Sequence, residues 1–127
     1  MTYGFSKETN LEFKEAIEKV SAELKEESFG ILTEINVKET LKKKLGIDYE
    51  NYVILGACNS PFAYEALKAE KEIGLLLPCN VIVYVENGKT IVSAINPNEA
   101  MSMIDNPTLK EIAEQVAEKL KKVINNI

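Results

Sequence analysis

Histidine is absent from this chain of 127 residues. That absence removes Ser-His and Cys-His nucleophile pairs, histidine metal ligands and the commonest general base. Only two cysteines are present. In a chain with no disulfide framework they are expected as reduced thiols. No apolar run approaches the roughly 20 residues that span a bilayer, so no membrane segment is expected. Met1-Thr2-Tyr3-Gly4 shows no basic region followed by an apolar stretch, so no signal peptide is expected either. A cytoplasmic location follows as the default. Basic excess is also missing. The formal net charge is −5, which argues against nucleic acid as a partner, because phosphate binding needs a concentrated basic footprint. Lys42-Lys43-Lys44 is the one basic run, and it reads as the wet face of a short helix.

What is present is a globular composition, 46% hydrophobic and 28% charged. At this length one domain is expected, with a core that buries about two-thirds of the unfolded surface. Thr2 to Phe5 reads as a short strand, with Ser6 as the cap of a helix that runs to about Glu27. Phe13, Ala16, Ile17, Val20 and Leu24 give that helix one apolar stripe. Gly30 to Asn36 reads as a strand. Asn36 and Glu39 form a variant capping box for a short helix that Gly46 stops. Ser60-Pro61 opens another helix, expected to continue to about Ile73. Glu70 falls on its apolar stripe by spacing, either at the edge of the contact or aimed into a pocket. Asn87-Gly88 marks a tight hairpin between Val81–Glu86 and Thr90–Ile95. The last helix starts near Pro107, capped by Asp105 or Asn106, and holds its stripe to the C-terminus.

Two stretches, Tyr52 to Cys58 and Val81 to Glu86, are apolar on both faces of a two-residue repeat. A strand wet on one side alternates, so these two belong in the middle of a sheet. Strands that follow one another favour an antiparallel sheet with helices on one face. The expected class is therefore α+β in two layers: a mainly antiparallel sheet of about five strands, two long helices on one face, and short helices inserted between strands. The second face then carries Leu32, Ile54, Ile82, Tyr84 and Val92. A patch of that size calls for a cover, and a homodimer through the sheet supplies one.

At Ile54-Leu55-Gly56-Ala57-Cys58-Asn59-Ser60-Pro61, then Ala63, Ala66-Leu67 and Glu70, then Ile73-Gly74-Leu75-Leu76-Leu77-Pro78-Cys79-Asn80-Val81, the chain resembles the domain of unknown function family number 302. The Gly-Leu-Leu-Leu-Pro-Cys-Asn segment is the most specific part of the resemblance. It implies a β-α-β4-α core of the TATA-binding-protein-like class, in small bacterial and archaeal proteins that form homodimers, with no established activity. The namesake's DNA binding is not implied, since this chain is acidic and shows no basic, wedge-bearing sheet face.

Cys58 ends one central strand and Cys79 precedes the other. Asn59, Glu70 and Asn80 complete the one constellation the sequence offers. Three readings follow. The first is a binding module, holding a small-molecule ligand or a soft metal such as Cu(I), Zn or Fe–S near Cys58, Glu70 and Cys79. Two cysteines fall short of a closed four-thiolate zinc site unless a dimer supplies the other pair. The second is a thiol-dependent enzyme or redox protein, with Cys58 or Cys79 as nucleophile. Such a thiol needs its pKa lowered, and the helix start after Cys58 favours a thiolate there. The third is a structural or interaction domain in which both cysteines are core residues and both asparagines brace turns. No complete catalytic signature is present and no cofactor is indicated, so the balance leans away from an enzyme.

Overall fold

Hydrophobic side chains placed at every second residue of a strand must all meet one layer, and this requirement organises the molecule. The computed structural model describes residues 3–127. Its elements run β1 (Gly4–Thr9), α1 (Phe13–Glu26), β2 (Gly30–Asn36), α2 (Val37–Leu45), β3 (Tyr52–Cys58) and α3 (Ser60–Ala69). A 3₁₀ turn (Lys71–Leu76), β4 (Cys79–Glu86), β5 (Lys89–Ile95), α4 (Pro97–Ala100) and α5 (Pro107–Asn125) complete the chain. The five strands form one antiparallel sheet in the order β1-β5-β4-β3-β2. The two doubly apolar strands, β3 and β4, thus lie inside the sheet, side by side. α1 and α5 cover one face: Ala16, Val20, Leu24, Val116, Leu120, Val123 and Ile124 pack on Val53, Leu55, Val81, Val83 and Val92.

The Asn87-Gly88 turn, with φ of 52° and 77°, pairs Glu86 with Lys89. Counting back, Val83 stands opposite Val92, so the two share a face. Val92 is therefore core, fully buried beneath the helices, and not on the open face where the alternation first suggests it. Ile91, Ser93 and Ile95 take that face instead. β2 departs from simple alternation too. A bulge between Ile31 and Thr33 sets Ile31 against Ala57 but Thr33 against Gly56, so these two residues, expected on one face, point to opposite ones.

One cap differs from the expectation. Ser6 starts no helix. β1 continues to Thr9, because Lys7, Glu8 and Thr9 pair with Val92, Ile91 and Thr90, and Ser6 hydrogen-bonds to the Ser93 hydroxyl across the strands. α1 begins later, where Glu12 and Glu15 form a reciprocal capping box. The expected strand start at Thr2 lies outside the described residues. The other caps stand in the sequence: Asn36 Oδ1 accepts from Glu39 N–H at 3.0 Å, Asn106 Oδ1 accepts from Leu109 N–H at 3.1 Å, and Gly46 closes α2 in the left-handed region at φ 66°.

α3 stops at Ala69, short of Ile73. Glu70 is extended, with φ −150°, and the chain turns there so that Ile73 enters a second apolar cluster with Ala66 and Leu109. Asn106 Nδ2 donates to the freed Ala69 carbonyl at 2.8 Å. Glu70 thus leaves the helical line on which spacing places it.

Gly56 sits where β2 and the segment before β4 crowd β3. A Cβ there would stand 2.8 Å from Pro78 Cγ and closer still to Thr33 Oγ1. Gly56→Ala is expected to destabilise the fold by about 1–3 kcal/mol through overpacking, read as a lowered denaturant midpoint at unchanged m-value. A neutral result shows that Thr33 and Pro78 can move aside.

Candidate functional site

Two concavities lie on opposite sides of β3 and β4. The first contains the thiols. Ala57, the residue before Cys58, pairs with Cys79 across the central strands, so strand pairing alone brings the two cysteines to one sheet end. Both line a cavity of about 30 Å³, roofed by Phe62, Ala63 and Ala66 of α3 and by Ile112, Ala113 and Val116 of α5. That space suits one or two water molecules in volume and is far below the roughly 300–1,000 Å³ of a small-molecule pocket. Its walls are almost wholly apolar, so it favours staying dry.

The structure brings three of the five expected site residues together here. Cys58, Cys79 and Asn59 line the cavity; Glu70 and Asn80 do not. Asn59 is buried, and its Nδ2 donates to the Glu27 carbonyl at 3.1 Å. It ties the start of α3 to the end of α1 rather than facing a ligand. Glu70 is half-buried at the C-terminal end of α3. Asn80 pairs with Gly56 and lies on the opposite face of the sheet. Among the described residues, no group of three or more His, Cys, Asp or Glu side chains is placed to hold a metal ion.

Burial pushes the Cys79 thiol up from an ordinary 9.0 to about 11, and the neighbouring Cys58 adds to the rise. A nucleophilic thiol needs the reverse shift, so Cys79 stays protonated at neutral pH. It lies in an almost wholly apolar cavity beneath the two helices, and the chain supplies no imidazole to take its proton.

The second concavity is a shallow basin of about 630 Å³ on the sheet face that α1 and α5 leave open. Its floor is Tyr52 of β3, Asn80, Ile82 and Tyr84 of β4, and Ser93 and Ile95 of β5. Tyr3 forms one wall; Asp48, Tyr49 and Glu50, in the loop before β3, form the other, with Glu86 at the hairpin end. Tyr52 and Tyr84 are Cα partners and their rings stack, centroids 5.3 Å apart at 16°. Tyr49 leans on Tyr52 at 6.4 Å and 53°. The Tyr52 phenol is raised above its ordinary value by burial first, then by Tyr84, Tyr49 and Tyr3, which places the four phenols in one neighbourhood. Four of the five tyrosines of the chain therefore meet here.

Sequence reasoning named only Asn80 of this basin as a site residue, although it placed Ile82 and Tyr84 on the same open face. The signal available was the equal parity of Tyr52 and Tyr84 on neighbouring strands. Tyr3 and the Asp48–Glu50 loop carried none, since only the tertiary fold carries them over the sheet.

Comparisons with known proteins agree on the fold. A family model described as "Domain of unknown function DUF302" matches residues 5–127. A solved structure described as "Crystal structure of uncharacterized conserved protein DUF302 from Bacillus stearothermophilus" is similar, with 32% sequence identity and a TM-score of 0.93 over 99% of this chain and 98% of that one. No curated protein matches. No helix among the described residues is long and apolar enough to cross a membrane.

The raised Cys79 value has a consequence for stability at alkaline pH. The unfolded thiol ionises near pH 9 and the folded one near pH 11, so between those values the folded state holds the extra proton. Stability is full below the unfolded value and falls as pH rises through this window, by about 2–3 kcal/mol. Urea melts from pH 8 to 11.5 are expected to show that loss in the parent and a shallower one in Cys79→Ala. Parallel curves for the two proteins remove the assignment.

Proposed function

The chain belongs to the family described as Domain of unknown function DUF302, and we propose that it works as a small binding module with its ligand site in the basin on the open sheet face. One observation carries the reading: a concavity of about 630 Å³ whose floor is three hydrogen-bonded strands and whose lining combines stacked tyrosine rings with carboxylates. Its size suits a small molecule, and a strand floor holds its side chains in fixed positions. The cavity beside Cys58 and Cys79 supports a ligand or a soft metal less well, because it is small and apolar and Asn59 is already engaged. A thiol enzyme finds little support in a Cys79 held protonated by burial. The two cysteines fit the role of small core residues. Two neighbouring thiols stay reduced in the cytoplasm, which is where we place the protein.

The test is thermal. A small-molecule library is screened for compounds that raise the melting temperature. A compound at a hundred times its Kd adds about 2.7 kcal/mol. Tyr84→Ala is expected to abolish the shift while Cys58→Ser leaves it intact. The opposite pattern moves the site to the thiol cavity and ends the basin reading.

A second observation favours a homodimer. From Gly30 to Ile47 no residue is buried, although Leu32, Ile35, Leu45 and Ile47 are large and apolar, with Leu32 66% and Leu45 65% exposed. A nine-residue helix such as α2 is marginal without packing. We place the second copy against β2, α2 and the adjoining strip of open sheet. Sedimentation equilibrium is expected to give twice the chain mass, with Leu45→Glu and Ile35→Glu giving the single-chain mass. A parent protein that sediments as one chain at high concentration rules the dimer out.

A further inference from the structure

Resting on the reading of the basin as the binding site, we infer that its ligand is an organic cation: an alkylated ammonium compound of low molecular weight, seated over the tyrosine rings. The charge of the lining points one way. Asp48, Glu50 and Glu86 contribute carboxylates, and among the described residues no lysine lines the basin. Lys42 of α2 reaches Asp48 at 2.9 Å and Lys89 stands opposite Glu86 across the hairpin, both outside the basin lining. The lining itself thus holds carboxylates and no cation, which favours a positively charged ligand over an anion.

The rings decide what kind of cation. Aromatic faces attract positive charge through their quadrupole, and the attraction survives when the cation carries methyl groups instead of N–H donors. Tyr52 and Tyr84 cover one face of each other by stacking, and with the exposed Tyr3 and Tyr49 they line the basin, so whatever fills it meets aromatic surface. Ile82 and Ile95 between them suit alkyl groups and offer nothing to a strongly hydrated ion. A metal ion fits poorly for the same reason: among the described residues no cluster of three ligating side chains exists, and the carboxylates stand on separate elements, the loop before β3 and the end of β4. Alkylated ammonium satisfies both demands, since its charge is spread and its surface is hydrocarbon.

The experiment is an NMR titration with choline, with its uncharged carbon isostere 3,3-dimethylbutan-1-ol, and with propionate as an anion. Choline is expected to move the ring signals of Tyr52 and Tyr84 and to bind about threefold to thirtyfold more tightly than the isostere. Tyr84→Leu, checked for folding by circular dichroism, is expected to erase that preference while keeping the apolar floor. Glu86→Gln, an exposed change at the hairpin end that leaves the core untouched, is expected to weaken choline and leave the isostere unaffected. Equal binding of choline and isostere, or tighter binding of propionate, overturns the cation assignment while the basin stands as a binding site. No movement of basin signals with any of the three probes overturns the assignment together with the reading beneath it.

Discussion

The contact on which everything else depends is the one between β3 and β4 and the two long helices that cover them. Val53, Leu55, Val81 and Val83 are each almost fully buried, and each such side chain is worth about 1.5–3 kcal/mol relative to leaving it in water. Only the middle of a sheet, under a helix layer, gives them all that environment. Once β3 and β4 are fixed there, the hairpin must place β5 on the far side of β4, and the short excursion through β2 and α2 must lie along the other edge. β1 closes the sheet beside β5, where Lys7 Nζ donates to the Ile127 carbonyl at 2.8 Å and ties the first strand to the chain's end.

The same contact sorts the polar chemistry. Each strand has two faces, and the helices occupy one. Cys79 pairs with Ala57 on the covered side and is desolvated, so its thiol rises to about 11. Asn80, one residue on, faces the other way into the basin. Neighbours in sequence are thus divided between a small apolar cavity and a larger open concavity lined with carboxylates. The constellation of cysteines, asparagines and one acid is split by the pleat itself, and by the turn at Glu70.

A helix layer that covers one face leaves the other to be explained. Here the open face is not uniformly greasy. Its centre carries stacked phenols with carboxylates around them, which suits a ligand. Its flank, from β2 through α2, carries exposed Ile35, Leu45 and Ile47, the apolar strip on which the proposed second chain would rest. The two halves of the face thus lend themselves to different occupants, and the carboxylates of the Asp48–Glu50 loop mark the border between them.

Much of the architecture is written locally. Period-two and period-3.6 patterns give β3, β4, α1 and α5, since burial on one or two faces dictates them residue by residue. Asn36, Gly46, the Asn87-Gly88 turn and Asn106 give boundaries, because capping and positive φ depend on a few adjacent atoms. Other features required the assembled fold. The length of β1 depends on β5, more than 80 positions away. The end of α3 depends on a cluster that Ile73 shares with Leu109. Val92 finds its face through the register of a hairpin, and the basin exists because the sheet brings Tyr3 and a loop from the middle of the chain over the same two strands. Short-range order comes from the chain's own backbone and side chains; which distant residues meet comes from how the layers pack, and that division falls on the basin more heavily than on any other part of this protein.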